Sequence, residues 1–181
     1  MLCKYNFRYS LLTIVTELMF TAYLSIGGNL GDRLTNLKRC VELIIKNIGV
    51  IKEKSSVYET NAWGNENQPD FLNIVVSVET VLDPYELLEQ IHNIELKLGR
   101  NRLQHWGQRT IDIDILFYDQ MVINIDNLTI PHPFIQERMF VLEPLNEIFP
   151  KFIHPILKKS VKELYKECKD KLSVRKLKEK I

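Results

Sequence analysis

The chain has 181 residues, 45% of them hydrophobic, with 24 basic and 23 acidic side chains and a formal net charge of +1. This length is typical of one domain with a substantial core, and the balanced charge argues against a general nucleic-acid or membrane-surface binder. The cysteines, Cys3, Cys40 and Cys168, form no CxxC pair. They therefore predict neither a zinc site nor a disulfide framework, and they favour a reduced, cytoplasmic compartment.

The first twenty residues are expected to be separate from a single domain at 21–181. Their apolar run at 11–15 is followed by polar residues and is too short to span a bilayer. No small-residue cleavage site follows it, so it is a poor signal peptide. Either residues 1–20 are an extension that packs on the domain, or the true start is Met19.

The first predicted elements are a strand and a helix. Residues 22–26 are apolar enough for a short buried strand, which Gly27 and Gly28 would end. The next apolar residues are spaced in steps of four and three, which places them on one face of a helix that ends at Gly49. These residues are Leu30, Leu34, Leu37, Val41, Ile44 and Ile48.

Two more strands and a second helix follow. β-branched and aromatic residues predict strands at 51–58 and 72–80, with a polar loop at 59–70 between them. The sequence Asp-Pro-Tyr-Glu at 83–86 predicts a helix start, with the aspartate as N-cap and the proline at the first helical position. Its apolar face and its end are formed by Leu87, Leu88, Ile91, Ile94, Leu98 and Gly99.

The last strand of the predicted core follows a polar loop at 100–109. Residues 111–117 alternate with a period of two, which predicts a strand with one apolar and one acidic face. The resulting order, β-α-β-β-α-β, predicts an α+β fold with a ferredoxin-like core, in which helices pack on an antiparallel-dominated sheet. From about Val161, the lysine-rich tail predicts an amphipathic helix. A fold of this kind does not by itself indicate a function.

The most informative chemical feature is the pair Asp112 and Asp114. Side chains two residues apart in a strand project from the same face, about 7 Å apart. Two carboxylates in that position repel each other unless a cation lies between them. Mg²⁺ fits, because it accepts carboxylate oxygens and completes its coordination with water and phosphate oxygens. The alternative is an ordinary solvated strand face.

Arginines, a tryptophan and a histidine accompany this pair in the sequence. They are Arg100, Arg102, Trp106, Arg109, His132 and Arg138. Guanidinium groups match the geometry of phosphate, so the set predicts a phosphoryl-transfer site, where the catalyst mainly positions groups and neutralises charge. The chain lacks a GxxxxGK[ST] motif, and its glycine turn at 27–31 lacks the dinucleotide spacing. We therefore expect metal ions and arginines to hold any nucleotide.

A second group, Thr60, Trp63, Phe71 and Asn73, flanks the start of the strand at 72–80. Phe71 could stack on a flat heterocycle while Asn73 reads its edge. From the residues alone, the simpler interpretation is that Phe71 belongs to the core and Asn73 caps the strand.

Five segments resemble one family. They are LSIGGNLGDR (24–33), QPDFLN (68–73), ELKLGR (95–100), WGQRTIDIDIL (106–116) and LTIPHPFIQERMFVLEPL (128–145). In this order and spacing they resemble the hydroxymethyldihydropterin pyrophosphokinases over about residues 21–160. The resemblance implies transfer of pyrophosphate from ATP to 6-hydroxymethyl-7,8-dihydropterin, giving AMP and the pterin diphosphate in folate biosynthesis. It also implies that Asp112 and Asp114 bind two Mg²⁺ ions.

The resemblance implies roles for the other candidates as well. Arg100, Arg102, Trp106 and Arg109 match a mobile catalytic loop, whose arginines would act chiefly in the closed complex. Thr60, Trp63, Phe71, Asn73 and Phe140 match the pterin site, and His92, Glu95, Thr129, His132 and Arg138 match the ATP site. We expect small-molecule partners only, neither nucleic acid nor membrane, and a monomer, with association with other folate enzymes left open.

Three positions depart from the family pattern. Gly28 stands where serine is common, His92 where glutamine is common, and Gln108 where proline often precedes the arginine; the catalytic loop is also about one residue short. No residue is a convincing general base. Two rival functions remain at this stage: a ferredoxin-like nucleic-acid-binding module, and a nucleotidyltransferase with a DxD motif, which would release pyrophosphate instead of AMP.

Overall fold

The computed structural model describes residues 18–62, 68–100 and 107–181. The strands are β1 (Phe20–Gly28), β2 (Val50–Lys54), β3 (Tyr58–Thr60), β4 (Phe71–Thr80), β5 (Asp112–Tyr118), β6 (Ile123–Ile125), β7 (Leu128–Ile130) and β8 (Val174–Lys176). The helices are α1 (Arg33–Asn47), α2 (Pro84–Lys97), α3 (Met139–Ile148) and α4 (Val161–Glu167), with one 3₁₀ turn at Ile135–Glu137. Among the described helices, none combines the length and apolar character needed to cross a membrane.

The main sheet is antiparallel, in the order β5-β1-β4-β3-β8, with β2 paired to the same edge of β4 as β3. β1 and β4 pair from Phe20 opposite Thr80 to Gly28 opposite Leu72, and β4 is the middle strand of this order. Without β8, the strand order is that of a ferredoxin-like core. The predicted α+β class is therefore confirmed. The short β6–β7 hairpin forms a separate two-stranded sheet.

The two faces of the sheet carry different helices. Alternate residues of β1, such as Leu24 and Ile26, point to a core shared with α1 and α2. The opposite face, where Val75 and Phe117 lie, packs against α3 and α4. Burial of both apolar faces stabilises the sheet by about 25 cal/mol for each Å² removed from water.

Three local predictions differ from the structure. The strand expected at 51–58 is two strands, because the Ser55 hydroxyl accepts a hydrogen bond from Val75 N at 2.9 Å and so interrupts the ladder. Helix α1 begins after its N-cap Asp32, leaving Leu30 exposed. The predicted tail helix ends at Glu167, and β8 follows it to pair with β3.

Candidate active site

A cleft of about 800 Å³ opens at one end of the main sheet. Because β1 runs antiparallel to β4 and β5, its final residues lie beside the first residues of both neighbours. Every candidate that the structure describes lines this cleft. These are Thr60, Phe71, Asn73, His92, Glu95, Arg100, Arg109, Asp112, Asp114, Thr129, His132, Arg138 and Phe140. The other three candidates, Trp63, Arg102 and Trp106, lie outside the described residues, as do residues 1–17 of the predicted extension.

Asp112 and Asp114 stand side by side at the start of β5, where Ile113 between them points into the core. Asp112 lies 2.5 Å from Arg100 Nη1 and 2.7 Å from Arg109 Nε. The second contact is a close ion pair whose angle does not make it a hydrogen bond. Asp114 is 3.9 Å from Arg138 Nη1. Arginines from three different segments therefore converge on the two carboxylates.

Arg100 also forms an ion pair with Glu95, whose side chain is 2% exposed. Glu95 Oε1 accepts a hydrogen bond from Ile113 N at 2.9 Å, which joins α2 to β5. Arg100 thus bridges two carboxylates, that of Glu95, which is buried beneath the cleft, and that of Asp112, which faces the cleft. Glu95 therefore holds the start of β5 in place through its hydrogen bond to Ile113. This structural contact is separate from the ATP-site role that the resemblance implies.

The environment of the acid pair is suited to a cation. Loss of hydration and the like charge of Asp112 raise the pKa of Asp114 to about 6, although three arginines oppose the shift. Within the described ranges, no group of three or more His, Cys, Asp or Glu side chains could hold a metal ion. The protein would supply two carboxylates, and phosphate oxygens and water the remaining ligands, which is how Mg²⁺ is usually bound beside a nucleotide.

The opposite side of the cleft presents an aromatic ring and a buried amide. Asn73 is 3% exposed and donates from Nδ2 to Thr60 Oγ1 at 2.7 Å. Phe71 begins β4, and the Arg109 guanidinium carbon lies 5.2 Å from its ring centroid. Arg109 therefore contacts both Phe71 and Asp112, the two groups that sequence analysis assigns to different ligands.

A third wall follows β7. His132 donates its backbone N–H to Leu116 O at 2.9 Å, and its Nδ1 accepts from Phe134 N at 3.2 Å. Burial and the positive charge of Arg138 lower the pKa of His132 to about 4, so its ring is neutral at pH 7. The Arg138 guanidinium carbon lies 5.7 Å from the centroid of the Phe140 ring. Arg138 thus stands between the acid pair and an aromatic wall.

Asn29 is an organising residue that sequence analysis missed. It is 3% exposed, and its Nδ2 donates to Gln68 Oε1 at 3.2 Å and to Pro69 O at 3.1 Å. Its Oδ1 accepts from Arg109 N at 2.9 Å. One amide therefore joins the segments that carry Phe71 and Arg109. The sequence signals were a polar residue after two glycines and its place in the segment LSIGGNLGDR, which resembles the family.

The two glycines are needed for close contacts and not for an unusual backbone conformation. A Cβ atom at Gly27 would lie 2.2 Å from Asn73 Oδ1, and one at Gly28 would lie 2.3 Å from Thr110 O. Gly28 is the position where the resemblance leads one to expect serine. Here its lack of a side chain lets the segment before β5 pack directly on β1.

Comparison with known proteins gives one consistent result. Residues 23–150 match the family model described as 7,8-dihydro-6-hydroxymethylpterin-pyrophosphokinase. A 2-amino-4-hydroxy-6-hydroxymethyldihydropteridine pyrophosphokinase of Aquifex aeolicus is 45% identical over 149 residues, covering 82% of this chain and 92% of the relative. The Bacillus subtilis protein of the same name is 47% identical over 128 residues, covering 70% of this chain and 77% of the relative.

Some relatives are longer. The bifunctional protein FolKE of Lactococcus lactis is 46% identical over 134 residues, which cover 74% of this chain but 38% of that protein. Among solved structures, Plasmodium falciparum HPPK-DHPS is similar, with a TM-score of 0.68 and 22% identity over 85% of this chain and 45% of that one. The match to the solved structure supports the fold alone.

Proposed function

The chain belongs to the 7,8-dihydro-6-hydroxymethylpterin-pyrophosphokinase family and is a pyrophosphokinase of folate biosynthesis, and we propose that its cleft binds ATP and the pterin side by side with two Mg²⁺ ions. The hydroxymethyl oxygen of the pterin attacks the β-phosphorus of ATP. The bond from that phosphorus to the α–β bridging oxygen breaks, AMP leaves, and the β- and γ-phosphates are transferred together.

The observation that carries this assignment is the convergence of three arginines on two adjacent carboxylates. Arg100, Arg109 and Arg138 come from separate segments, yet all three lie within ion-pair distance of Asp112 or Asp114. With no ligand the charges balance within the protein. When a triphosphate binds with its cations, each arginine can exchange a carboxylate for a phosphate oxygen, the geometry that guanidinium groups match best.

Asp112 and Asp114 would hold the metal ions. Bound Mg²⁺ would supply charge neutralisation at the phosphate oxygens, which makes the phosphorus easier to attack and AMP easier to release. Arg109 and Arg138 would stabilise the negative charge that grows on the transferred and departing oxygens. His132, neutral and fixed through its Nδ1, would donate from Nε2 without adding a full charge.

The pterin would lie between Phe71 and Phe140, with its edge at Asn73. Asn73 already donates one N–H to Thr60, so its other N–H and its carbonyl oxygen are the groups that could read a heterocycle. His92, Glu95 and Thr129 would lie on the adenosine side of the cleft. No residue described in the cleft stands out as a general base, so the hydroxymethyl proton would leave to an aspartate oxygen or to water.

From the sequence and the resemblance, we also propose that Trp63 belongs to the pterin site and that Arg102 and Trp106 belong to the catalytic loop. A monomeric state, a cytoplasmic location and association with other folate enzymes are likewise proposals. The printed names of the longer relatives describe fusions with a second activity.

Product analysis tests the reaction directly. The purified protein is incubated with Mg²⁺, hydroxymethyldihydropterin and ATP labelled at the β- or γ-phosphorus, and products are separated. We expect both labels in the pterin product, together with unlabelled AMP. Release of labelled pyrophosphate would instead indicate nucleotidyl transfer, and γ-label alone in the product would indicate an ordinary kinase. Salt-sensitive retention on nucleic acid, with no turnover, would favour the binding-module alternative.

A further inference from the structure

The segment that follows α4, residues 168–177, touches two walls of the cleft. On one side, Asp170 Oδ2 accepts a hydrogen bond from Met139 N at 2.9 Å, at the start of α3. On the other side, β8 pairs with β3 and places Val174 opposite Thr60. This C-terminal segment lies beyond residues 23–150, which match the family model.

Helix α3 has no cap of its own. Its N-cap residue is Arg138, whose side chain makes no capping hydrogen bond. Arginine has no acceptor atom to offer a helix N–H, and its positive charge is unfavourable at the positive end of the helix dipole. Asp170 supplies both of the missing features, an acceptor oxygen and a negative charge, from 31 residues away. The fold can therefore place an arginine where a capping residue would normally be required.

The Asp170 carboxylate is itself held in place. Its other oxygen, Oδ1, accepts from Leu172 N at 3.0 Å, which turns the chain toward β8. β8 is then fixed to β3 by backbone pairing and by an ion pair from Arg175 to Glu59, and to α3 by an ion pair from Lys176 to Glu147. The cap is thus anchored to the sheet and is not a chance contact of a loose tail.

We propose that the C-terminal segment is a positioning element of the cleft, and that Asp170 is the positioning residue that fixes Arg138 and Phe140. The roles of those two residues rest on the proposed function. Asp170 itself does not line the cleft. It sets the direction in which the first turn of α3 presents the Arg138 guanidinium and the Phe140 ring.

The test compares Asp170→Ala and Asp170→Asn with Glu167→Ala. The control removes an acidic side chain from the end of α4, where Glu167 pairs only with exposed Lys159 among the contacts described. For each protein, thermal melting, the dissociation constants of ATP and pterin, kcat, and hydrogen exchange at the Met139 and Phe140 amides are measured, with activity assayed well below the melting temperature.

We expect Asp170→Ala to lose amide protection at Met139 and to lower kcat/KM about tenfold, since small misplacements of binding groups are costly. Pterin binding should weaken more than ATP binding, because Phe140 offers the pterin a face while ATP keeps its other arginines. Asp170→Asn, which retains an acceptor, should recover most of the loss. The loss of kcat/KM caused by Asp170→Ala should be smaller when Arg138 or Phe140 has already been replaced by alanine, because the effects of substitutions at coupled residues are not additive.

Two results would overturn the inference. One is an Asp170→Ala protein that melts earlier but keeps wild-type kcat and both dissociation constants, which would make the cap purely structural. The other is unchanged exchange at Met139. Failure of the proposed function would appear differently, as absence of pyrophosphoryl transfer in the wild type and in Glu167→Ala, and the exchange measurement would still test the contact.

Discussion

Asp114 is unfavourably placed in the free protein, and the same placement suits the metal-binding role proposed for it. Its side chain lies beside Asp112 with its nearest described arginine atom 3.9 Å away, while Asp112 has two closer ones. The raised pKa of Asp114 is the consequence. A group kept partly desolvated beside a like charge is the arrangement that a cation relieves most.

Replacing Asp114 with asparagine should therefore lower turnover by several orders of magnitude and stabilise the metal-free fold. The ionised side chain, with a folded pKa of about 6 against an ordinary 3.8, opposes folding above pH 6, and this effect fades as the pH falls toward 3.8. The Asp114 side chain is 36% exposed, so solvent screening reduces the effect and we expect a gain of only about 1 kcal/mol at pH 7. Denaturant unfolding in chelator at pH 5 and pH 7.5 measures it.

The titration of His132 changes the free energy of unfolding over the same pH range, in the direction opposite to that of Asp114. Its pKa is lowered to about 4, so its contribution to stability is lost as the pH falls from 6.5 toward 4. The difference between wild type and Asp114→Asn, and not either profile alone, isolates the carboxylate. Equal stability of the two proteins at pH 7.5, or near-wild-type turnover of the variant at saturating Mg²⁺, would contradict the assignment of Asp114.

Asn73 allows a second test at the same scale. Asn73→Ala removes the buried donor to Thr60 and the groups proposed to read the pterin edge. We expect pterin binding to weaken at least tenfold, because a lost discriminating hydrogen bond leaves its partner unsatisfied, and ATP binding to change little. Calorimetric titration with each ligand measures this. Thr80→Ala, which also removes a buried side-chain hydrogen bond, to Ile48 O, is the matched control away from the cleft.

The residues whose placement the sequence predicted are those positioned by local spacing. Asp112 and Asp114 share a face because strands have a period of two, and the motif alone places them. Asn29 and Asp170 were missed because their partners lie 80 and 31 residues away, at Arg109 and Met139. No local pattern encodes a hydrogen bond of that kind.

At the scale of elements, the turn from β1 to α1 connects two loops that approach the cleft from different directions. The Asn29 and Leu30 backbone N–H groups both donate to Arg109 O, at 3.0 and 3.1 Å. The Asn29 side chain adds the bonds to Gln68, Pro69 and Arg109 N. Sequence analysis assigned this turn no contacts of its own, and noted only that its glycine spacing does not fit a dinucleotide-binding motif.

Asn29→Asp should separate the two loops. The new carboxylate can still accept from Arg109 N, but its second oxygen would face the Pro69 carbonyl, which cannot donate. We expect pterin binding to weaken about tenfold while ATP binding stays within about twofold, since one buried polar contact becomes repulsive. Asn36→Asp is the control, as it makes the same change at an exposed contact to Leu30 O. Equal losses for both ligands would show that the turn does not act selectively.

The elements themselves were predictable to different degrees. α2, β4 and β5 carry clear periodicity and long apolar faces, and their positions follow the prediction closely, while α1 follows it except at its start. β8 has three residues, two of them charged, and its stability depends on pairing with β3. An element stabilised only by tertiary contacts leaves no signal in its own sequence.

At the scale of the whole molecule, the free protein pairs its own charges across the cleft that should receive the substrates. Arg109 contacts both Phe71 and Asp112. In the proposed complex the pterin takes the face of Phe71 and a cation takes Asp112. Arg109 then has to leave both contacts, and the triphosphate is the group that can accept it.

Arg109→Ala should therefore impair chemistry more than ATP binding. Loss of a phosphate contact in the variant is partly offset by removal of the ion pair that the ligand must otherwise break, so we expect the ATP dissociation constant to rise only about threefold or less. The stabilisation of growing charge has no such offset, and the single-turnover rate should fall by about a hundredfold or more. Arg39→Ala, at an exposed position on α1, is the matched control.

Hydrogen exchange in peptides covering 107–116, with and without a non-hydrolysable ATP analogue and pterin, follows the movement of Arg109 from its two contacts in the wild type. Protection should increase only when both ligands are present, because only then are both contacts of Arg109 replaced. A wild-type single-turnover rate for Arg109→Ala, together with exchange that does not respond to ligands, would place Arg109 outside the catalytic machinery.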